Sequence, residues 1–285
     1  AEFTVASGVT DTVAKTLTAG ETGLVEQGGV LNVTTGSAIT ASGDAVKATN
    51  NGTISTAGGG GSGMLGDATA TNARLVNNGT ISTDGLIDRG IYGQGANSTL
   101  INRGTITTSG TTGVGILSGG SNSTLLNSGT ITTSGGNTSG LSSSGANATS
   151  VNNGTITTSG NTAHGINSTG SNATLVNSGV ITTSGTAAAG MRHLTGNNAT
   201  LVNSGSITTQ DGDGIAVSGS SSTITVTGSG SVTVSGTGRI GIRSSGANGT
   251  INVSGTVIAT GGATQAILGG SNQTLNIKPG ATIVD

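Results

Sequence analysis

The chain has 285 residues, 55 of them glycine, with one proline, one phenylalanine, one tyrosine, no tryptophan and no cysteine. A globular interior of the ordinary kind needs aromatics and large aliphatics that are missing here, and the absent cysteines rule out a disulfide framework. Nine basic against eleven acidic residues give a net charge of −2, scattered without the basic stripe that nucleic-acid binding requires.

Residues 1–47 carry short strand-like pieces between glycine turns: Phe3-Thr4-Val5, Leu24-Val25, Val30–Val33 and Ala38-Ile39-Thr40. They read as irregular N-terminal coils, with Phe3 helping to close one end of the core. From Ala48 a regular unit takes over. Asn122–Gly135 reads Asn-Ser-Thr-Leu-Leu-Asn-Ser-Gly-Thr-Ile-Thr-Thr-Ser-Gly, and close copies begin at Asn97, Asn147, Asn172 and Asn198. The step is 25 residues from Asn97 to Asn172 and 26 thereafter. Such a period signals a solenoid.

Each copy holds three four-residue runs, as in Thr174–Asn177, Thr155–Thr158 and Gly165–Ser168, separated by Asn-Ser-Gly, Ser-Gly and Gly-x-Asn corners. These runs are too short for amphipathic helices, and antiparallel propeller blades need longer repeats. The pattern therefore predicts an all-β fold, a right-handed three-sided parallel β-helix of about 11 coils of about 25 residues. At roughly 4.8 Å per coil the rod is about 50 Å long. Residues 48–209 hold the regular repeats, and 210–285 form less regular C-terminal coils. Asp285 follows a strand with no polar cap, as expected of a segment of a longer chain.

Strand alternation assigns three inward rows. The first strand contributes the row through Leu100, Leu175 and Leu275, interrupted by Ser150. The second contributes Ile54, Ile81, Ile156 and their equivalents, and the third Met64, Ile91, Ile166 and theirs. Asn77, Asn102, Asn127, Asn152, Asn177 and Asn203 share one position, replaced later by Val226, Val253 and Ile277. That replacement points the asparagines inward, where amides one coil apart can form a hydrogen-bonded ladder.

Here the Asn-Ser-Gly-Thr-Ile-Thr-Thr-Ser-Gly units, with Gly-Ile-x-Ser-x-Gly-x-Asn between them, resemble the passenger domains of Gram-negative autotransporters. The opening Phe3-Thr-Val-Ala-Ser-Gly-Val-Thr-Asp-Thr looks like the start of a mature passenger. The resemblance covers nearly the whole chain. It implies a cell-surface β-helix exported across the outer membrane through a C-terminal β-barrel, which this sequence does not contain. It does not imply one activity, because such rods carry adhesins, toxins and proteases.

Three surfaces are candidates for function. An outward aliphatic stripe is expected at Val76, Ile101, Leu126, Val151, Val176 and Val202, ending at Thr225, Asn252 and Asn276. It reads either as a contact surface or as packing, through a corner kink that turns it inward or cover by the preceding loop. A hydroxyl face runs through Thr80/Ser82, Thr105/Thr107, Thr130/Thr132, Thr155/Thr157 and Ser206/Thr208, interrupted by Val180. It resembles the water-ordering Thr-x-Thr array of ice-binding β-solenoids, and equally suits the strand preference of threonine. The corner before each Gly-Ile varies most, and recognition is expected at Asp84, Asp88, Arg89, Tyr92, Arg192, Asp211 and Asp213.

No catalytic residues are expected. Asp88 and Asp213 stand five coils apart, about 24 Å, too far to share one reaction. No cofactor is expected and no metal: Gly58–Gly63 lacks the aspartate of a calcium-binding glycine repeat, and His164 and His193 occupy different repeat positions. The partner expected is a host-surface or bacterial-surface protein or glycan, or a second copy of the chain. The reading is thus of an extracellular rod in adhesion or cell–cell aggregation. A passive stalk or export scaffold, and an ice-binding solenoid, are its alternatives.

Overall fold

A computed structural model describes residues 2–285. Among them there is no helix; 35 short strands fall into three parallel sheets of 12, 12 and 11 strands. Each sheet takes every third strand in chain order, so the chain completes one turn for every three strands. Eleven complete coils result, followed by the two strands Thr274–Ile277 and Thr282–Val284. The chain forms a parallel β-solenoid, and the strands before residue 47 join the same three sheets.

Pairing is in register throughout the repeats. Leu75 lies beside Leu100 and Leu100 beside Leu125 in the first sheet. Ile81 lies beside Ile106 in the second sheet, and Ile91 beside Ile116 in the third. The strand Thr155–Thr158 shows why: its residues alternate half-buried and buried, as a period of two demands. Ile54 through Val257 in the second sheet, and Met64 through Ile242 in the third, are fully enclosed. Each such side chain contributes about 1.5–3 kcal/mol by leaving water. Ser150 faces the same interior, and its Oγ finds no partner there.

The inward Asn row is a continuous ladder. Nδ2 of Asn50 donates to Oδ1 of Asn77, and the pattern repeats through Asn102, Asn127, Asn152, Asn177 and Asn203 at 2.7–2.9 Å. The turn asparagines form a second ladder at the surface, from Asn198 back to Asn97, at 3.0–3.3 Å. Those turn residues sit at φ of 56–60°, a left-handed conformation that asparagine tolerates. Gly165 is required for a different reason: a Cβ there would stand 2.3 Å from Cγ2 of Ile181.

At the N-terminal end Phe3 packs on the core over Gly23. At the other end the expected core residue Leu275 is exposed, as are Ile277 and Ile283, because they lie in the final turn of the winding.

Candidate lateral binding surfaces

The outer face of the first sheet carries positions one and three of strands such as Thr149–Asn152. Leu126, Val151, Val176 and Val202 stand there in register, half-buried, each next to an outward threonine. The alternation is regular, so no corner kink turns this row inward. The expected six-residue stripe is nonetheless shorter. Val76 and Ile101 are only 4% and 5% exposed. Val76 lies in a shallow depression walled by Lys47, Arg74 and Arg103, whose long side chains replace the threonines and serines of other coils. Cationic stems of that kind cover apolar neighbours. Beyond Val202 the row passes to Thr225 and Asn252.

The second sheet shows Thr80, Thr105, Thr130 and Thr155 in register on its outer face, then Val180, which is exposed. The fourth residue of these strands turns inward instead. Thr158 and Thr183 are buried, and each hydroxyl donates to a backbone carbonyl, of Ala163 and Ala188, at 2.6 Å. Strand alternation places them inward, apart from the outward threonines at positions one and three.

The variable corner divides into two parts. In the first, Asp84 is exposed, and Arg89 lies 4.5 Å over the Tyr92 ring. Asp88 is not a surface group: it is fully buried, accepting from Thr56 Oγ1 at 3.1 Å and from the Gly61 N–H at 2.8 Å. It braces the glycine turn of the preceding coil, so its expected part in recognition is withdrawn. In the second, Asp211 accepts from Arg239 Nε at 2.8 Å, and that hydrogen bond holds its carboxyl below the usual range. Asp213 accepts from Arg243 Nε at 2.7 Å and from the Ile240 N–H at 2.9 Å.

The third sheet adds an outward row that the sequence reading passed over, the x of Gly-Ile-x-Ser. It runs Leu65, Tyr92, Leu117, Ser142, Asn167, Arg192, Ala216, Arg243. Thr40 precedes it and Leu268 follows it, so apolar, neutral polar and cationic residues are mixed along the row. Two clefts flank Arg192. One, of about 320 Å³, includes Ser139, Ser142, Thr162, His164 and Asn167; the other, of about 220 Å³, includes Asp213 and Arg239. His164 borders both, 5% exposed, with Nδ1 3.0 Å from the Ala189 amide nitrogen and Nε2 2.6 Å from Arg192 Nη1. Burial, and then the charge of Arg192, lowers its pKa to about 4. Burial also lowers His193, against a hydrogen bond to the Gly196 carbonyl. Among the described residues, no group of three or more His, Cys, Asp or Glu is placed to hold a metal ion.

The architecture defines a parallel β-solenoid repeat protein. Comparison with protein-family models, with curated proteins and with solved structures finds no match to the chain.

Proposed function

We propose that this solenoid is the rod of a surface-displayed passenger of the autotransporter kind, acting in cell–cell aggregation through its lateral face. The repeat resemblance supports export to the cell surface by way of a C-terminal barrel. The observation that carries the contact reading is the in-register row Leu126, Val151, Val176 and Val202, framed by Thr124, Thr149, Thr174 and Thr200. Its partner in this reading is a second copy of the chain on a neighbouring cell. A row spanning four coils is about 14 Å long. That is too little for a tight complex of two molecules, but many rods per cell multiply weak contacts.

The test displays the chain on bacteria through a heterologous barrel and measures sedimentation of the culture. Val151→Asp with Val176→Asp abolishes settling while the circular dichroism of the purified chain stays unchanged. Settling that survives the double substitution sinks the contact reading and leaves a passive stalk.

A further inference from the structure

We infer that the depression walled by Lys47, Arg74 and Arg103 is a binding site for a phosphate monoester, whose dianionic phosphate group meets the three cations together. The site lies on the outer face of the first sheet, ahead of the row from Leu126 to Val202, and stands without the aggregation reading.

Charge is sparse in this chain, and most of its cations already have partners. Of nine lysines and arginines, Lys15, Arg239 and Arg243 are paired with Asp11, Asp211 and Asp213. Arg89 lies over the Tyr92 ring, and Arg192 lies against His164. Of the four that remain, Lys278 stands alone near the far end of the rod, and the other three line one depression with Thr49, Val76 and Asn78. No carboxylate lines it. Among the described residues, none of the three is in an ion pair or donates a side-chain hydrogen bond. Glu2 lines the neighbouring cleft together with Lys47, but it accepts from Thr22 Oγ1 at 3.1 Å.

Register makes this concentration of charge unfavourable. Lys47 is the direct cross-strand neighbour of Arg74, a placement in which like charges oppose each other. The same place is held by an uncharged threonine in the following coils, at Thr99, Thr124, Thr149 and Thr174. Arg74 starts its strand and Arg103 follows the end of the next, so the two reach Val76 from opposite ends. Covering Val76 needs only aliphatic stems and does not call for three positive heads. Held together without an internal counter-ion, those heads set up a positive field that an incoming anion relieves.

The number of cations and the size of the depression narrow the class. A carboxylate offers two oxygens and matches a single guanidinium fork. A phosphate monoester offers three strong acceptor oxygens and nearly two negative charges at neutral pH, which suits three separate donors. The depression, about 170 Å³, is smaller than a site for a whole small molecule and takes a terminal group. Lys47 and Thr49 also border the neighbouring cleft of about 370 Å³, lined in addition by Thr4, Thr22 and Leu24. That cleft leaves room beside the phosphate for the group that carries it.

The experiment titrates the purified ¹⁵N-labelled chain, at fixed ionic strength, with glucose 6-phosphate, dimethyl phosphate, acetate and glucose. It follows the amides of residues 47–49, 74–78 and 101–104. Glucose 6-phosphate shifts these signals saturably in the millimolar range. Dimethyl phosphate, a tetrahedral monoanion, and acetate each bind about tenfold more weakly or less, and glucose does not bind. Arg74→Thr and Arg103→Ser install the residues that the next coil carries at these places, Thr99 and Ser128. Each weakens glucose 6-phosphate by about tenfold while the circular dichroism stays unchanged. Lys278→Gln removes the same unit of charge elsewhere and leaves binding as it was. The proposal is overturned if glucose 6-phosphate causes no saturable shift at these residues, or if dimethyl phosphate or acetate binds as tightly. It is overturned equally if Lys278→Gln weakens binding as much as Arg103→Ser. Cell sedimentation is read on Val151 and Val176, so failure here and failure of the aggregation reading are distinct results.

Discussion

The asparagine ladder shows how a single position fixes stability. Asn127 accepts from Asn102 and donates to Asn152, whereas Asn203 accepts from Asn177 and donates to a backbone carbonyl, that of Ser231. Asn127→Val therefore breaks two rungs and leaves Asn152 Oδ1 without its donor, while Asn203→Val removes only the last rung. In urea unfolding Asn127→Val costs about 2–3 kcal/mol and Asn203→Val about 1 kcal/mol less. His164 gives a second prediction. Its pKa is about 4 in the fold, against about 6.5 in an unfolded chain, so between these values the unfolded chain holds the additional proton. Its contribution is fully present above pH 6.5 and is lost as pH falls to 4, by up to about 3 kcal/mol. His193 shifts the same way. The depressed carboxylates Asp11, Asp44, Asp67 and Asp211 act in a separate window, losing their contribution only below about pH 3.8. Urea midpoints at pH 7, 5.5 and 4 measure the decline, and His164→Gln flattens it. The ladder was legible in the sequence because valines take over its position in later coils. Asp88 was not, since its partners Thr56 and Gly61 belong to the preceding coil and no local pattern announces them.

Among the strands, period and alternation determined nearly everything that faces inward, down to the gap at Ser150. The outward rows were harder to read. Whether Val76 is covered depends on the reach of Arg74 and Arg103 from neighbouring positions, which spacing does not encode. The outward row of the third sheet likewise emerges only when the variable residues of Gly-Ile-x-Ser are set beside one another. The row from Leu126 to Val202 is the part of the first sheet where aspartate is informative. Val151 and Val176 are half-buried and outward, so each substitution costs about 1 kcal/mol or less and the strand pairing survives. Lost sedimentation would then report on contact between rods. The same change at Ile156, which is fully enclosed, would report only on folding.

The whole molecule is a stack in which each coil touches the ones above and below. Excision of residues 147–171 removes one unit and places Asn172 where Asn147 was, with the first, second and third sheets all still in register. The shortened chain folds with the same circular dichroism per residue, and small-angle scattering finds it about 5 Å shorter. Excision of half a unit breaks all three sheets together and prevents folding. Because coils hold one another edge to edge, with no strand passing from one end to the other, a pull on the two termini detaches them one after another. Each detached coil of 25 residues releases about 80–90 Å of extended chain, many times its height in the stack. Under tension such a stack therefore lengthens in steps, and each step lowers the load along the chain.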